Sequence, residues 1–191
     1  TVTTGSGADL IVGDNGQIDW TASGVYSEFQ TTDPTLGAGD TIQAGDGDNI
    51  VAGGFGGDTI TTGLGEDLIL GDNGQFQYTE VGGVAVLTAA QTTDTTAATG
   101  GNDVIVGGGG TTDNIVLAGM GDDQVNQGAA TSSGADLVLG DNGYVTWGTD
   151  ALITSFGSSQ LGLGGNDLID VGDGGNIVVG GAFLTDHSRH L

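Results

Sequence analysis

Residues 39–70 read GDTIQAGDGDNIVAGGFGGDTITTGLGEDLIL, and one spacing organises all of them. Asp40, Asn49, Asp58 and Asp67 follow one another at steps of nine, and two residues after each stands Ile42, Val51, Ile60 or Ile69. Glycines crowd the positions before each step. A glycine-rich turn ending in Asp, then one inward aliphatic, describes a turn and a very short strand. Nine such residues make half of one coil of a parallel β-solenoid. Glycine opens the turn to positive φ and leaves its carbonyls bare. Carbonyl and carboxylate oxygens converging from stacked turns are the ligands a hard cation such as Ca²⁺ takes.

Composition agrees. Of 191 residues 41 are Gly and one is Pro, which excludes both collagen and a Pro-rich linker. The net charge is −24, from 25 acids against one Arg. All but Glu28, Glu66 and Glu80 are Asp, whose short side chain serves tight turns, so the bias favours metal loops over a merely solvated acidic surface. Nothing here neutralises phosphates, which excludes nucleic acid as a partner, and the same charge argues against an anionic membrane surface. There is no Cys, hence no disulfide, and no 18-residue apolar stretch for membrane insertion. No signal peptide is visible, and the start at Thr1 reads as a piece of a longer chain.

The stretches GGFGGDTIT (53–61), TGLGEDLIL (62–70) and TGSGADLIV (4–12) resemble the GGxGxDxUx nonapeptide of RTX (repeats-in-toxin) proteins. Looser copies stand at SSGADLVL (132–139) and GGNDLID (164–170). The resemblance implies an all-β fold, a single parallel β-roll (RTX β-solenoid) of about five to six coils. It also implies several Ca²⁺ ions bridging consecutive loops. Without the cation, carboxylate repulsion and glycine's entropy would hold the chain unfolded; with it, binding free energy becomes folding free energy. Such a module travels unfolded through a one-step secretion channel and folds outside the cell. The terminal TDHSRHL shows no clear version of the expected secretion signal.

A longer period overlies the nine. GDNG recurs at 13–16, 71–74 and 140–143, each time after an Asp-Leu-aliphatic strand. The stretch after each copy alternates β-formers around a small turn and holds eight of the ten aromatics. These read as three protruding β-hairpin insertions, about 17–36, 75–99 and 144–162, in units of about 5–62, 63–131 and 132–183. If each hairpin sits inside one loop, successive turns alternate between two edges. One edge carries Asp40, Asp58, Asp103, Asp123 and Asp167. The other carries Asp9, Asn49, Asp67, Asn114, Asp136 and Asn176, acid and amide by turns. Slips at 103–114 and 123–136 read as two longer loops.

All eleven are candidate calcium ligands, in two files of ions with fuller protein coordination along the all-acid edge. Asp46, Asp48, Asp113 and Asp173 either restore the carboxylate beside each Asn or face solvent, and both readings stand. Asp14, Asp72 and Asp141 of GDNG either cap a calcium where the hairpin leaves or supply turn chemistry; the ligand reading is preferred.

No catalytic constellation appears. His187 and His190 form HSRH without further placed ligands and read as a solvated tail. Three functions follow from the resemblance: a calcium-folded spacer of a large secreted or surface-attached adhesin-like protein, whose partners are neighbouring repeats of the same chain; a folding and secretion module of a toxin or secreted enzyme; and a glycan-binding module using hairpin aromatics such as Trp20 and Trp147. The regular hairpin-bearing unit favours the first, and the aromatics are expected to pack onto the coil. An ice-binding face fails because Leu68, Val104 and Leu168 interrupt the Thr file.

Overall fold

The computed structural model describes residues 1–126 and 133–181. Part of the 123–136 loop and the HSRH tail lie outside them. The chain opens with β1 (Val2–Thr3) and β2 (Leu10–Val12), then a hairpin of β3 (Gly16–Trp20) and β4 (Tyr26–Thr31). Four short strands follow: β5 (Thr41–Gly45), β6 (Ile50–Ala52), β7 (Thr59–Thr62) and β8 (Leu68–Leu70). The second hairpin is β9 (Gly74–Val81) and β10 (Val84–Thr92). Next come β11 (Val104–Val106), β12 (Ile115–Leu117), β13 (Gln124–Asn126) and β14 (Leu137–Leu139). The third hairpin is β15 (Gly143–Trp147) and β16 (Ile153–Ser158), followed by β17 (Leu168–Asp170) and β18 (Ile177–Val179).

Outside the hairpins the chain passes alternately through two six-stranded parallel sheets, β1-β5-β7-β11-β13-β17 and β2-β6-β8-β12-β14-β18. One strand of each makes a rung, and there are six, an all-β arrangement compatible with a β-solenoid. Each rung sends one aliphatic inward from each sheet. Ile42, Ile60, Ile105 and Val125 meet Ile11, Val51, Ile69, Val116 and Val138 in one buried file. The nine-residue step therefore sets the core, because register pairs like with like: Ile42 with Ile60, Val51 with Ile69.

The hairpins correct the expectation. They do not protrude. Neighbouring hairpins pair with each other, β4 with β9 and β10 with β15, into a third, antiparallel six-stranded sheet. One face of it covers the outer face of the second parallel sheet. Phe29, Phe76, Ala90 and Val145 pack there with Leu68, Leu70, Leu117, Leu137 and Leu139 as a second core. The Phe29 and Phe76 rings stack with centroids 5.4 Å apart. This explains a difference between the parallel strands. Those of the second sheet are apolar on both faces (LIL, IVL, LVL), while the first sheet shows Thr41, Gln43, Thr59 and Gln124 to solvent.

The two tryptophans part company. Trp147 is half-buried against the second core, whereas Trp20 is 61% exposed and forms an edge-on pair with Tyr26 at the hairpin tips.

Phe76→Ala should cost about 3–5 kcal/mol, the usual loss for a fully buried aromatic, read as a lower urea midpoint. Phe55→Ala, in a turn and half-exposed, should leave the midpoint within about 0.5 kcal/mol of wild type.

Candidate metal-binding files

Each file residue is tied to the next rung by its backbone N–H, which donates to the side chain of its counterpart there. In the all-acid file Asp40 N–H donates to Asp58 Oδ1 (2.6 Å), Asp58 to Asp103 (2.7 Å), Asp103 to Asp123 (2.8 Å) and Asp123 to Asp167 (3.0 Å). In the alternating file Asp9 donates to Asn49, Asn49 to Asp67, Asp67 to Asn114, Asn114 to Asp136 and Asp136 to Asn176, at 2.9–3.2 Å. The file residue's own carbonyl accepts from the rung beyond, as Asp58 O does from Val104 N–H (2.8 Å). Asp and Asn suit this position because a short side chain with an oxygen acceptor reaches one rung and no further.

The ladder uses Oδ1 and leaves Oδ2. The Oδ2 atoms of Asp58, Asp103, Asp123 and Asp167 on one edge, and of Asp9, Asp67 and Asp136 on the other, are buried without a hydrogen-bond partner. On the acid edge those of Asp58, Asp103 and Asp167 sit in cradles made by glycine. A Cβ on Gly53 would collide with Asp58 Oδ2 and with the Gly71 carbonyl oxygen; one on Gly71 would collide with Asp103 Oδ2 and the Ala118 carbonyl oxygen. Each cradle thus gathers a carboxylate and a carbonyl oxygen and no donor. The alternating edge differs. Asn49 Nδ2 donates to the carbonyls of Gly45 (3.2 Å) and Gly47 (2.8 Å), and Asn176 Nδ2 to those of Val171 and Gly172, so an amide holds the turn. Among the described residues the acids stand in files rather than in groups of three or more around one point.

The GDNG aspartates occupy a further position on the acid edge. Asp14 accepts from Ala38 N–H through Oδ1 (3.2 Å) and from Phe55 N–H through Oδ2 (2.8 Å). Asp72 accepts likewise from Gly101 and Met120, and Asp141 from Gly165. Each lies between the turns of two successive rungs, which explains why Gly100 and Gly119 bear no side chain: a Cβ on either would strike Asp72.

Asp46, Asp48 and Asp113 are exposed, and their Oδ1 atoms accept from Leu64, Glu66 and Ala135 N–H (2.7–3.0 Å). Asp173 is exposed. The sequence reading missed the same position on the acid edge, where Asn102 accepts from Asp122 N–H and Asp122 from Asn166 N–H. The signal was there: Asn102-Asp103, Asp122-Asp123 and Asn166-Asp167 repeat the pattern of Asp48-Asn49. It also missed Asp94, buried and bonded to Asn73 N–H (3.1 Å) and Nδ2 (3.0 Å).

Burial governs the charge state of these acids. Desolvation pushes Asp58 and Asp123 up to about 7 and Asp167 to about 6, against 3.8 for a free Asp. The ladder hydrogen bond opposes this in each, and neighbouring carboxylates add to it: Asp40 at Asp58, Asp167 at Asp123, Asp141 at Asp167. Asp72 and Asp103 are raised by burial, and Asp103 raises Asp72 further by repulsion. Burial also raises Asp67, Asp94 and Asp136.

No family model matches the chain, and neither a curated relative nor a solved structure resembles it.

A raised carboxyl binds its proton more tightly in the folded chain than in the unfolded one. The stability it contributes is complete below about pH 4 and is lost as pH rises through 6–7. In chelator, the urea midpoint should therefore fall as pH rises from 4 through 6–7. Asp58→Asn and Asp123→Asn should each flatten that fall. A midpoint that rises with pH would contradict the electrostatic account.

Proposed function

We propose that this chain is a calcium-dependent structural module, an RTX-like β-roll that folds in calcium-rich surroundings outside the cell. It serves there as a spacer in a larger secreted or surface-attached, adhesin-like protein. One observation carries the reading: the repeated buried Oδ2 that shares a glycine-walled cradle with a carbonyl oxygen and has no donor. Two oxygen lone-pair donors facing one another call for a proton or a cation, and at neutral pH a hard cation that takes carboxylate and carbonyl oxygens fits both. Asp58, Asp103 and Asp167 would supply carboxylate oxygens on the acid edge and Asp9, Asp67 and Asp136 on the other, with turn carbonyls completing the shell. Bound calcium supplies positive charge that offsets the −24 of the chain. In the folded chain the aspartates hold the rungs in register through Oδ1. Asp14, Asp72 and Asp141 pin the turns from which the hairpins leave; the backbone N–H groups at their oxygens favour that positioning role over a ligand role.

The extender reading draws on regularity. The hairpin sheet links alternate rungs to one another through β4 with β9 and β10 with β15. A second reading, glycan binding, is favoured only by Trp20. It lines a shallow groove with Gly24, Tyr26, Gly83 and Val84 at the hairpin tips. Trp20→Ala abolishing retention on a glycan surface, with folding intact, would support it.

Circular dichroism should show a largely unfolded chain in chelator at pH 7.5 and a β-rich one at millimolar Ca²⁺, with Mg²⁺ a poor substitute. Asp103→Asn separates the two roles of the side chain. The amide keeps the ladder acceptor and removes the buried charge. The variant should be more stable than wild type in chelator and should need at least tenfold more calcium to reach its folded plateau. A purely structural Asp would lose stability in both conditions.

A further inference from the structure

In all three hairpins the strand pairing slips by one residue at the same place, as Asp19 passes to Trp20, Leu87 to Ala89 and Thr146 to Trp147. Such a bulge bends a strand and sharpens its twist. On the GDNG side of the slip Phe76 and Val145 are fully buried on the second core; beyond it Leu87 and Trp147 are only half-buried. The two layers part there, and a cleft of about 300 Å³ opens between them. Ile50, Leu68 and Ile115 of β6, β8 and β12 line one wall, and Leu87 of β10 and Trp147 of β15 line the other. All five of these strands are paired on both sides, so the cleft lies within the stack. Its size is at the lower end, and its apolar lining typical, of small-ligand pockets.

The charges around it are of one sign. Asp48 and Glu66 line it from adjacent turns, both exposed, and the Glu66 N–H donates to Asp48 Oδ1 (3.0 Å). Asp67 lines it as well; it is 2% exposed, and its Oδ2 has no hydrogen-bond partner. None of the described residues is Lys or Arg, so no side chain among them neutralises this corner. An anion would be repelled. A purely apolar guest would cover the walls and leave the carboxylates uncompensated. A cationic head on an apolar body satisfies both: the carboxylates accept from its N–H groups, the aliphatic walls cover its body, and the Trp147 indole is the ring that attracts cations best.

We propose that the cleft between the hairpin sheet and the second parallel sheet binds a small organic cation, an ammonium or guanidinium group on an apolar body. Asp48 and Glu66 hold the head at the mouth, and Leu87, Trp147 and the wall facing them take the body. The site does not rest on the calcium reading. Asp48 and Glu66 are not among the carboxylates assigned to calcium above, and a bare metal ion leaves the apolar walls uncovered.

Titration with phenethylammonium tests it, read by tryptophan emission in a Trp20→Phe background, where Trp147 is the one tryptophan. Circular dichroism on the same samples, at millimolar Ca²⁺, establishes folding. Emission should change saturably with the ammonium compound and not with phenylpropionate, which carries the same ring on a carboxylate. Asp48→Asn combined with Glu66→Gln should weaken binding about tenfold, the loss of two exposed ion pairs. Added salt should weaken binding more in the parent than in the double variant. Both side chains already meet solvent, so folding should survive their replacement. A chain that stays folded in chelator would contradict the calcium reading, yet it should bind the ammonium compound equally well. Equal binding of the two compounds, an unchanged affinity in the double variant, or no response of Trp147 in a folded chain overturns the proposal.

Discussion

The hydrogen bond from each file residue's N–H to the Oδ1 of its counterpart one rung on is the contact on which the rest depends. It needs a short acceptor side chain at every turn, and so it brings an Asp or Asn to each rung on both edges. It also draws that side chain into a space walled by glycine, where a carboxylate is poorly solvated. The interaction that sets the register therefore creates the electrostatic problem. In every file aspartate but Asp9 and Asp40, one carboxylate oxygen is used and the other is buried without a partner. On the alternating edge Asn49 and Asn176 relieve the problem, because their amides donate to turn carbonyls, whereas the Asn114 amide nitrogen is buried without a partner. On the other edge every file residue is an acid, and burial raises the proton affinity of Asp58, Asp103, Asp123 and Asp167.

The core alone is thin. One aliphatic per strand fills the space between the parallel sheets, and the hairpin sheet adds a second apolar layer over one of them. It also links alternate rungs through Thr31 with Gly74 and Thr92 with Gly143, contacts between residues 43 and 51 positions apart. The hairpins thus tie alternate rungs to one another along the stack.

Much of this was legible in the sequence because a single spacing controls it. The step of nine placed Ile42, Val51, Ile60 and Ile69 in the core, and treating each hairpin as an insertion placed Asp58 and Asp67 on opposite edges, where the structure has them. Pairing between hairpins was not legible, since nothing local to residues 16–31 announces β9 as a neighbour. The indirect sign was the doubly apolar second sheet: Leu68 and Leu70 flanking Ile69 require a cover that Thr59 and Thr61 flanking Ile60 do not. The role of Asp14 and Asp72 was ambiguous for a physical reason. The same carboxylate can bind a cation or two backbone N–H groups, and only the position of the neighbouring turns distinguishes the two.

The dependence of unfolding free energy on free calcium concentration tests the central claim most directly. Cations bound only by the folded chain add stability with each decade of calcium, about 1.4 kcal/mol per site once the site is saturated. Urea unfolding at pH 7.5 across a calcium-buffered series should give a slope worth several ions, steepest for wild type and shallower for each Asp→Asn replacement in the acid file. A chain equally stable at every calcium concentration would show that the buried oxygens of these files are satisfied without a cation.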